Sequence, residues 1–193
     1  MLFLWLTYVS LCQQLRFPIR NLLQKGGTMD KPFVLYHGTC NDIAINDYLK
    51  TFSNYNRNSM QAVNAVFATS NKTKAVYFGL RSCLAGRNSR CKLDNKRIFL
   101  SSLREMLKST FYVYSIDPTD FRLDSKDEYI SYRDVQILSV EKYDLKKAIA
   151  EYGFEIYLIP ELDINKSVCN QIKQMNDYID SNNFQKLDIA SIF

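Results

Sequence analysis

The sequence holds one histidine, His37, among 193 residues. A single imidazole excludes metal centres built from several histidines and any mechanism needing a second one. The five cysteines (Cys12, Cys40, Cys83, Cys91 and Cys169) are scattered without a Cys-x-x-Cys pair. So sparse and odd a set indicates neither a disulfide framework nor a zinc site, and it fits reduced thiols in a cytoplasmic protein. Neither Gly-x-Gly-x-x-Gly nor Gly-x-x-x-x-Gly-Lys-Ser/Thr occurs, so the two common phosphate-cradling loops are missing. Repeats and low-complexity tracts are also missing. The charge excess is small, 25 Lys and Arg against 20 Asp and Glu. It permits an anionic ligand, fits an ordinary surface equally well, and is too mild to argue for nucleic acid.

No apolar run is long enough to insert stably in a membrane. Residues 1–12 (MLFLWLTYVSLC) are mostly apolar, but a spanning helix takes about 20 residues. The run also lacks the basic start and small-residue cleavage site of a signal peptide. Lys25-Gly26-Gly27-Thr28-Met29 can be encoded by codons that spell a ribosome-binding sequence ahead of a start codon. Residues 1–28 are therefore expected to be a leader or a non-native extension, with natural translation from Met29.

From Met29 onward the composition, 47% apolar and 13% aromatic over the whole chain, supports one core and a single domain over 29–193. Phe33–Tyr36 reads as a buried strand running into a His-Gly-Thr turn, and Asn41–Leu49 as a short helix. Ser53–Gln61 is rich in turn formers and reads as a loop, followed by a strand over Ala65–Thr69. Ser70 stands where a cap belongs, ahead of a helix over Asn71–Ala85 that Gly86 stops. Residues 87–97 are basic and read as irregular, and Ile98–Leu107 as helical. Strands are expected over Phe111–Ile116, Glu128–Tyr132, Val135–Val140 and Phe154–Ile159, a short helix around Asp144–Tyr152, and an amphipathic helical tail from about 165. Short strands with few helices indicate an α+β fold rather than an alternating doubly wound sheet.

Three segments carry candidate chemistry. Tyr36-His37-Gly38-Thr39 ends the first strand. Val66-Phe67-Ala68-Thr69 ends the second, and Tyr77 follows Val66 by eleven residues, with Ala75 between them. Glu128-Tyr129-Ile130-Ser131 opens a strand, with Val135 beyond it. Taken singly, each also reads as structure: a hydrogen-bonded histidine, core residues, a solvated strand edge.

In this order and spacing the segments resemble the ADP-ribosyltransferase superfamily, in its His-Tyr-Glu branch of diphtheria toxin and the poly(ADP-ribose) polymerases. Tyr-His-Gly-Thr and Ser131-Tyr132-Arg133 are also similar to the rifampicin-modifying ADP-ribosyltransferases. The resemblance covers roughly residues 33–160. It implies an α+β domain on a split mixed β-sheet with a few flanking helices. It also implies NAD as co-substrate, no metal, and transfer of ADP-ribose to a protein, nucleic-acid or small-molecule acceptor, as in a toxin or host-modifying effector.

The residue chemistry suits that reaction. Nicotinamide leaves as a neutral molecule while positive charge grows on an oxocarbenium-like ribose. A fixed carboxylate can accept a hydrogen bond from a ribose hydroxyl and offset that charge. The resemblance gives this role to Glu128. It gives His37 a ribose hydroxyl, Gly38 the nicotinamide amide through backbone groups, and Thr39 a further hydroxyl contact. Tyr77 would stack on the nicotinamide, and Val66, Thr69 and Ser131 would line the same pocket. Lys72, Lys74 and Arg81 face either a pyrophosphate or solvent.

Two positions depart from the pattern. Val66 replaces the first stacking aromatic, and Lys126 replaces the acid or amide that arginine-modifying relatives carry two residues before the glutamate. Arginine is therefore not the expected acceptor. Two other functions stay open: an NAD-dependent RNA 2′-phosphotransferase, which would require arginines beside the histidine, and a catalytically inactive NAD-binding or interaction module.

Overall fold

Polar side chains start every helix of the described residues. The structure, a computed structural model, describes residues 31–56, 61–86 and 89–189; the leader or extension expected over 1–28 lies outside them. Asn71 accepts from the Lys74 amide at 3.1 Å and starts α1 (Lys72–Leu84). Asp144 accepts from Lys147 and starts α2 (Leu145–Tyr152), which Gly153 ends in the left-handed conformation at φ 66°. Ser167 starts α3 (Val168–Asp180) in the tail, where a helix was expected. Each cap satisfies an amide that the first turn cannot. The α1 cap is Asn71 rather than the expected Ser70, and its end is an extended Ala85 rather than a glycine stop.

The strands are β1 (Leu35–Thr39), β2 (Tyr48–Leu49), β3 (Phe52–Asn56), β4 (Gln61–Thr69), β5 (Cys91–Asp94) and β6 (Arg97–Leu100). They continue with β7 (Thr110–Ile116), β8 (Arg122–Ser125), β9 (Glu128–Ser131), β10 (Val135–Asp144), β11 (Glu155–Leu158) and β12 (Gln185–Lys186). The fold is α+β with two sheets. The larger is antiparallel, in the order β2-β10-β7-β1-β4-β9-β8, with β3 paired to the first half of β4. The smaller runs β12-β11-β6-β5, and its β6–β11 pair is parallel.

Alternation along β7 sets the layers. Phe111 and Val113 face one core with α1, α2 and the smaller sheet, while Tyr114 and Ile116 face a second core with Leu35, Val66 and Ala68. A third core joins Phe99 of the smaller sheet to Met175 and Ile179 of α3.

Four expectations are corrected. Asn41–Leu49 is not a helix: Tyr114, fully buried, accepts from the Ile43 amide at 2.7 Å and donates to the Asn41 carbonyl at 2.9 Å. Those contacts lay the segment across β7 in place of helical bonds. Tyr114→Phe orphans both backbone groups, so we expect a loss of about 1–3 kcal/mol, read as a lower urea midpoint with an unchanged slope. Ile98–Leu107 is not a helix either. Ile98, Phe99 and Leu100 are all fully buried, on both faces of the smaller sheet, and a run buried on two faces carries no strand period. Within the basic stretch before it, residues 91–97 form the first strand and turn of the β5–β6 hairpin, whose turn, Asn95-Lys96, has both φ angles positive, as a tight hairpin demands; residues 87–88 lie outside the described part. The loop expected over Ser53–Gln61 is a β3–β4 hairpin, of which residues 57–60 are outside the described part. Among the described residues no helix is long and apolar enough to cross a membrane.

Candidate active site

The His-Gly-Thr segment is the C-terminal end of β1, not a turn. β1 pairs along its whole length with β7, from Leu35 opposite Ile116 to Thr39 opposite Tyr112. With β4 it shares a single register pair, Tyr36 opposite Thr69. The central sheet therefore opens between β1 and β4 just after Tyr36.

His37 stands at that opening. Its Nδ1 lies 2.7 Å from the Phe67 carbonyl on β4. A carbonyl only accepts, so Nδ1 carries the proton and Nε2 keeps a lone pair. Burial lowers the imidazole pKa below its usual value, only partly opposed by the bond to Phe67. The histidine is thus a neutral acceptor bridging the two strands. Because the lowered value is that of the folded state, stability from this group is complete above the unfolded value of about 6.5. It is lost as the pH falls through the folded value. His37 being the sole histidine, one ¹⁵N-imidazole NMR signal set should titrate with a midpoint below about 6.5 and report the neutral Nδ1–H ring above it; a midpoint at or above that value contradicts the assignment.

Gly38 faces α1. A Cβ there would stand 1.8 Å from the Ala75 carbonyl oxygen and 2.7 Å from the Gly79 amide. Glycine thus lets strand and helix backbones touch, and that contact places the first half of α1 over the β1–β4–β9 surface.

Tyr36, Thr69 and Glu128 form one cross-strand row, through the pairs Tyr36–Thr69 and Thr69–Glu128. Glu128 is held from above by α1: Lys74 Nζ sits 2.7 Å from its Oε1 and 2.8 Å from Asp127 Oδ1. Ser125 Oγ is 3.5 Å from Glu128 Oε2. Burial opposes the ammonium charge, but bonds to Asp127 and Glu128 outweigh it and raise the Lys74 pKa.

The expected residues divide by face: Leu35 lies in the second core while Tyr36 and Gly38 face α1, so His37 alternates onto the side opposite Glu128 and meets that side only at the opening between β1 and β4. Tyr77, one turn beyond Lys74, is 5% exposed in the α1 core and touches Phe78 ring to ring at 5.3 Å. Thr69 is fully buried, and its hydroxyl accepts from the Asn71 amide at the start of α1. Thr39 makes the same kind of contact with the Asn41 amide. Val66 and Ser131 are paired with one another and belong to the opposite face, in the second core. The Ser131 hydroxyl is engaged with the backbone of Arg133. Val66 and Tyr77 therefore do not form two walls of one slot. Lys72 is bound to Glu141 at 2.7 Å, and Arg81 hydrogen-bonds Cys91.

Sequence reasoning missed Lys74 as the partner of Glu128, Asp127 as the second anchor, and the Phe67 carbonyl that fixes His37. The basic residue one turn before Tyr77 was the available signal for the first. Among the described residues no group of three or more His, Cys, Asp or Glu side chains is placed to hold a metal ion.

In comparison with known proteins, the chain matches no family model, no curated protein and no solved structure.

Proposed function

We propose that the protein is an NAD-dependent ADP-ribosyltransferase that cleaves the nicotinamide–ribose bond, with Glu128 as the carboxylate opposite the developing cation. One observation carries this reading. The three segments that the resemblance selects, far apart in sequence, lie on adjacent strands β1, β4 and β9 and on the helix packed over them. His37 offers Nε2 as an acceptor suited to a sugar hydroxyl. Beyond Tyr36 the β4-facing edge of Gly38 lies along the opening, where backbone groups can meet an amide. The acceptor of ADP-ribose, whether protein, nucleic acid or small molecule, is left to experiment.

A second reading has its own support. Lys74 sets an ammonium against Glu128, and the pyridinium of NAD is itself cationic, so the pair must loosen before the carboxylate can act on the ribose. A permanently paired Glu128 describes an NAD-binding module without turnover. Nicotinamide release and NAD titration on the same preparation separate the two. Release supports the enzyme, tight binding without release supports the module, and neither binding nor release rejects both.

A further inference from the structure

The Lys74 ammonium has two carboxylate partners on consecutive residues. Its Nζ lies 2.7 Å from Glu128 Oε1 and 2.8 Å from Asp127 Oδ1. Consecutive residues inside one strand face opposite sides of a sheet. Both acids reach Lys74 because Asp127 belongs to the turn between β8 and β9, while Glu128 opens β9. That turn is fastened to the approach of α1, since the Ser70 amide donates to the Asp127 carbonyl at 3.3 Å, and Lys74 follows about one helical turn later. Asp127 therefore keeps its place beside Lys74 whatever the Glu128 side chain does. Glu128 has supports of its own: its backbone pairs with Thr69 and Ser125, and Ser125 Oγ is 3.5 Å from Oε2. Lys72, the other cation in the first turn of α1, is engaged by Glu141 at 2.7 Å.

Resting on the reading of Glu128 as the carboxylate of NAD cleavage, we infer that Asp127 is a positioning residue: it takes over the Lys74 ammonium when NAD binds and so frees Glu128 for the ribose. Charge drives the exchange. The bridging ammonium shares its one positive charge between two carboxylates. The pyridinium of NAD brings a second positive charge toward Glu128, and two cations held on one carboxylate repel. With Lys74 on Asp127 alone, each cation has its own anion. No covalent bond changes in the exchange, which needs only rotation about the last torsions of the lysine side chain. As nicotinamide leaves neutral, the positive charge passes to the ribose and still faces a Glu128 that no ammonium occupies. Without the Asp127 charge the ammonium stays on Glu128 and competes with the substrate. Asp127 touches no reacting atom in this scheme, and its whole effect runs through Lys74.

The test follows nicotinamide release and NAD binding on the full chain for the parent, Asp127→Asn, Asp127→Glu, Lys74→Met and the double variant Asp127→Asn with Lys74→Met. Asparagine keeps the shape and removes the charge, so kcat/KM should fall on the order of fivefold, the upper end for a partly solvated ion pair. Asp127→Glu keeps the charge and should recover most of that loss. The decisive comparison is the second background: placed on Lys74→Met, the same Asp127→Asn change should cost less than about twofold, because coupled residues lose their effect when the partner is gone. A merely structural Asp127 would cost the same in both backgrounds. If methionine at position 74 does not fold, the contrast between asparagine and glutamate still decides. No loss in Asp127→Asn, a glutamate as slow as the asparagine, or an equal loss with and without Lys74 overturns the inference, while release by the parent leaves the reading of Glu128 standing. Tight NAD binding by the parent without release means that the ammonium is never handed over, which also overturns it. A parent that neither binds nor cleaves NAD rejects the reading of the site, and the inference falls with it.

Discussion

Glu128→Gln is expected to slow nicotinamide release from NAD by on the order of 100-fold or more while leaving the fold intact and NAD affinity within a few-fold. Glutamine keeps the size and one acceptor oxygen of the side chain but removes the charge. The charge matters most as the ribose becomes cationic, so the loss falls on the rate rather than on binding. The fold should tolerate the change because β9 is paired to β4 and β8 through its backbone. Lys74 also keeps its bond to Asp127 at 2.8 Å, so no ammonium is left stranded. Steady-state kinetics beside an NAD titration reads both parts. An unchanged rate removes Glu128 from the chemistry, and a lost affinity with an unchanged maximal rate reassigns it to ground-state binding.

Much of the architecture was legible where one local signal agreed with its surroundings. Phe111–Ile116 alternates because its two faces meet two cores, and that pattern survives folding unchanged. Asp144 and Gly153 bracket α2 as polar cap and left-handed stop. The failures share a cause, which is that tertiary partners replaced local ones. Nothing within Asn41–Leu49 announces that a tyrosine seventy-odd residues onward, Tyr114, will satisfy its backbone. Nothing within Ile98–Leu100 says whether an apolar triplet is wrapped by a parallel partner or by helical neighbours.

The site was legible in its segments and not in its wiring. Spacing selected the ends of β1 and β4 and the start of β9, which are neighbours in the sheet, and α1, which packs against β1. Strand parity decided the rest. Glu128 shares a face with Thr69 and α1, whereas Ser131, three positions on, points to the other core. Residues three apart on a strand cannot serve the same side. The Lys74–Glu128 pair depends on where α1 lands, and that is set by Gly38, whose motif the sequence offered for a different reason.

The packing role of Gly38 can be tested directly, because Gly38→Ala should cost about 3 kcal/mol or more of stability, at or above the upper end for overpacking, whatever the protein's activity. The φ of Gly38 lies outside the left-handed range, so torsion is not what demands glycine here. Space is. The added methyl would meet the Ala75 carbonyl oxygen at 1.8 Å and the Gly79 amide at 2.7 Å, and both are backbone atoms of a helix that cannot rotate aside as a side chain could. Relief requires β1 and α1 to part by an ångström or more along a contact that also fixes Lys74 over Glu128. Urea unfolding should therefore show a large fall in midpoint, and any folded fraction should have lost the placement of α1 over β9. A variant as stable as the parent would mean that the strand and helix are not in backbone contact, and the geometry assigned to the site would fall with it.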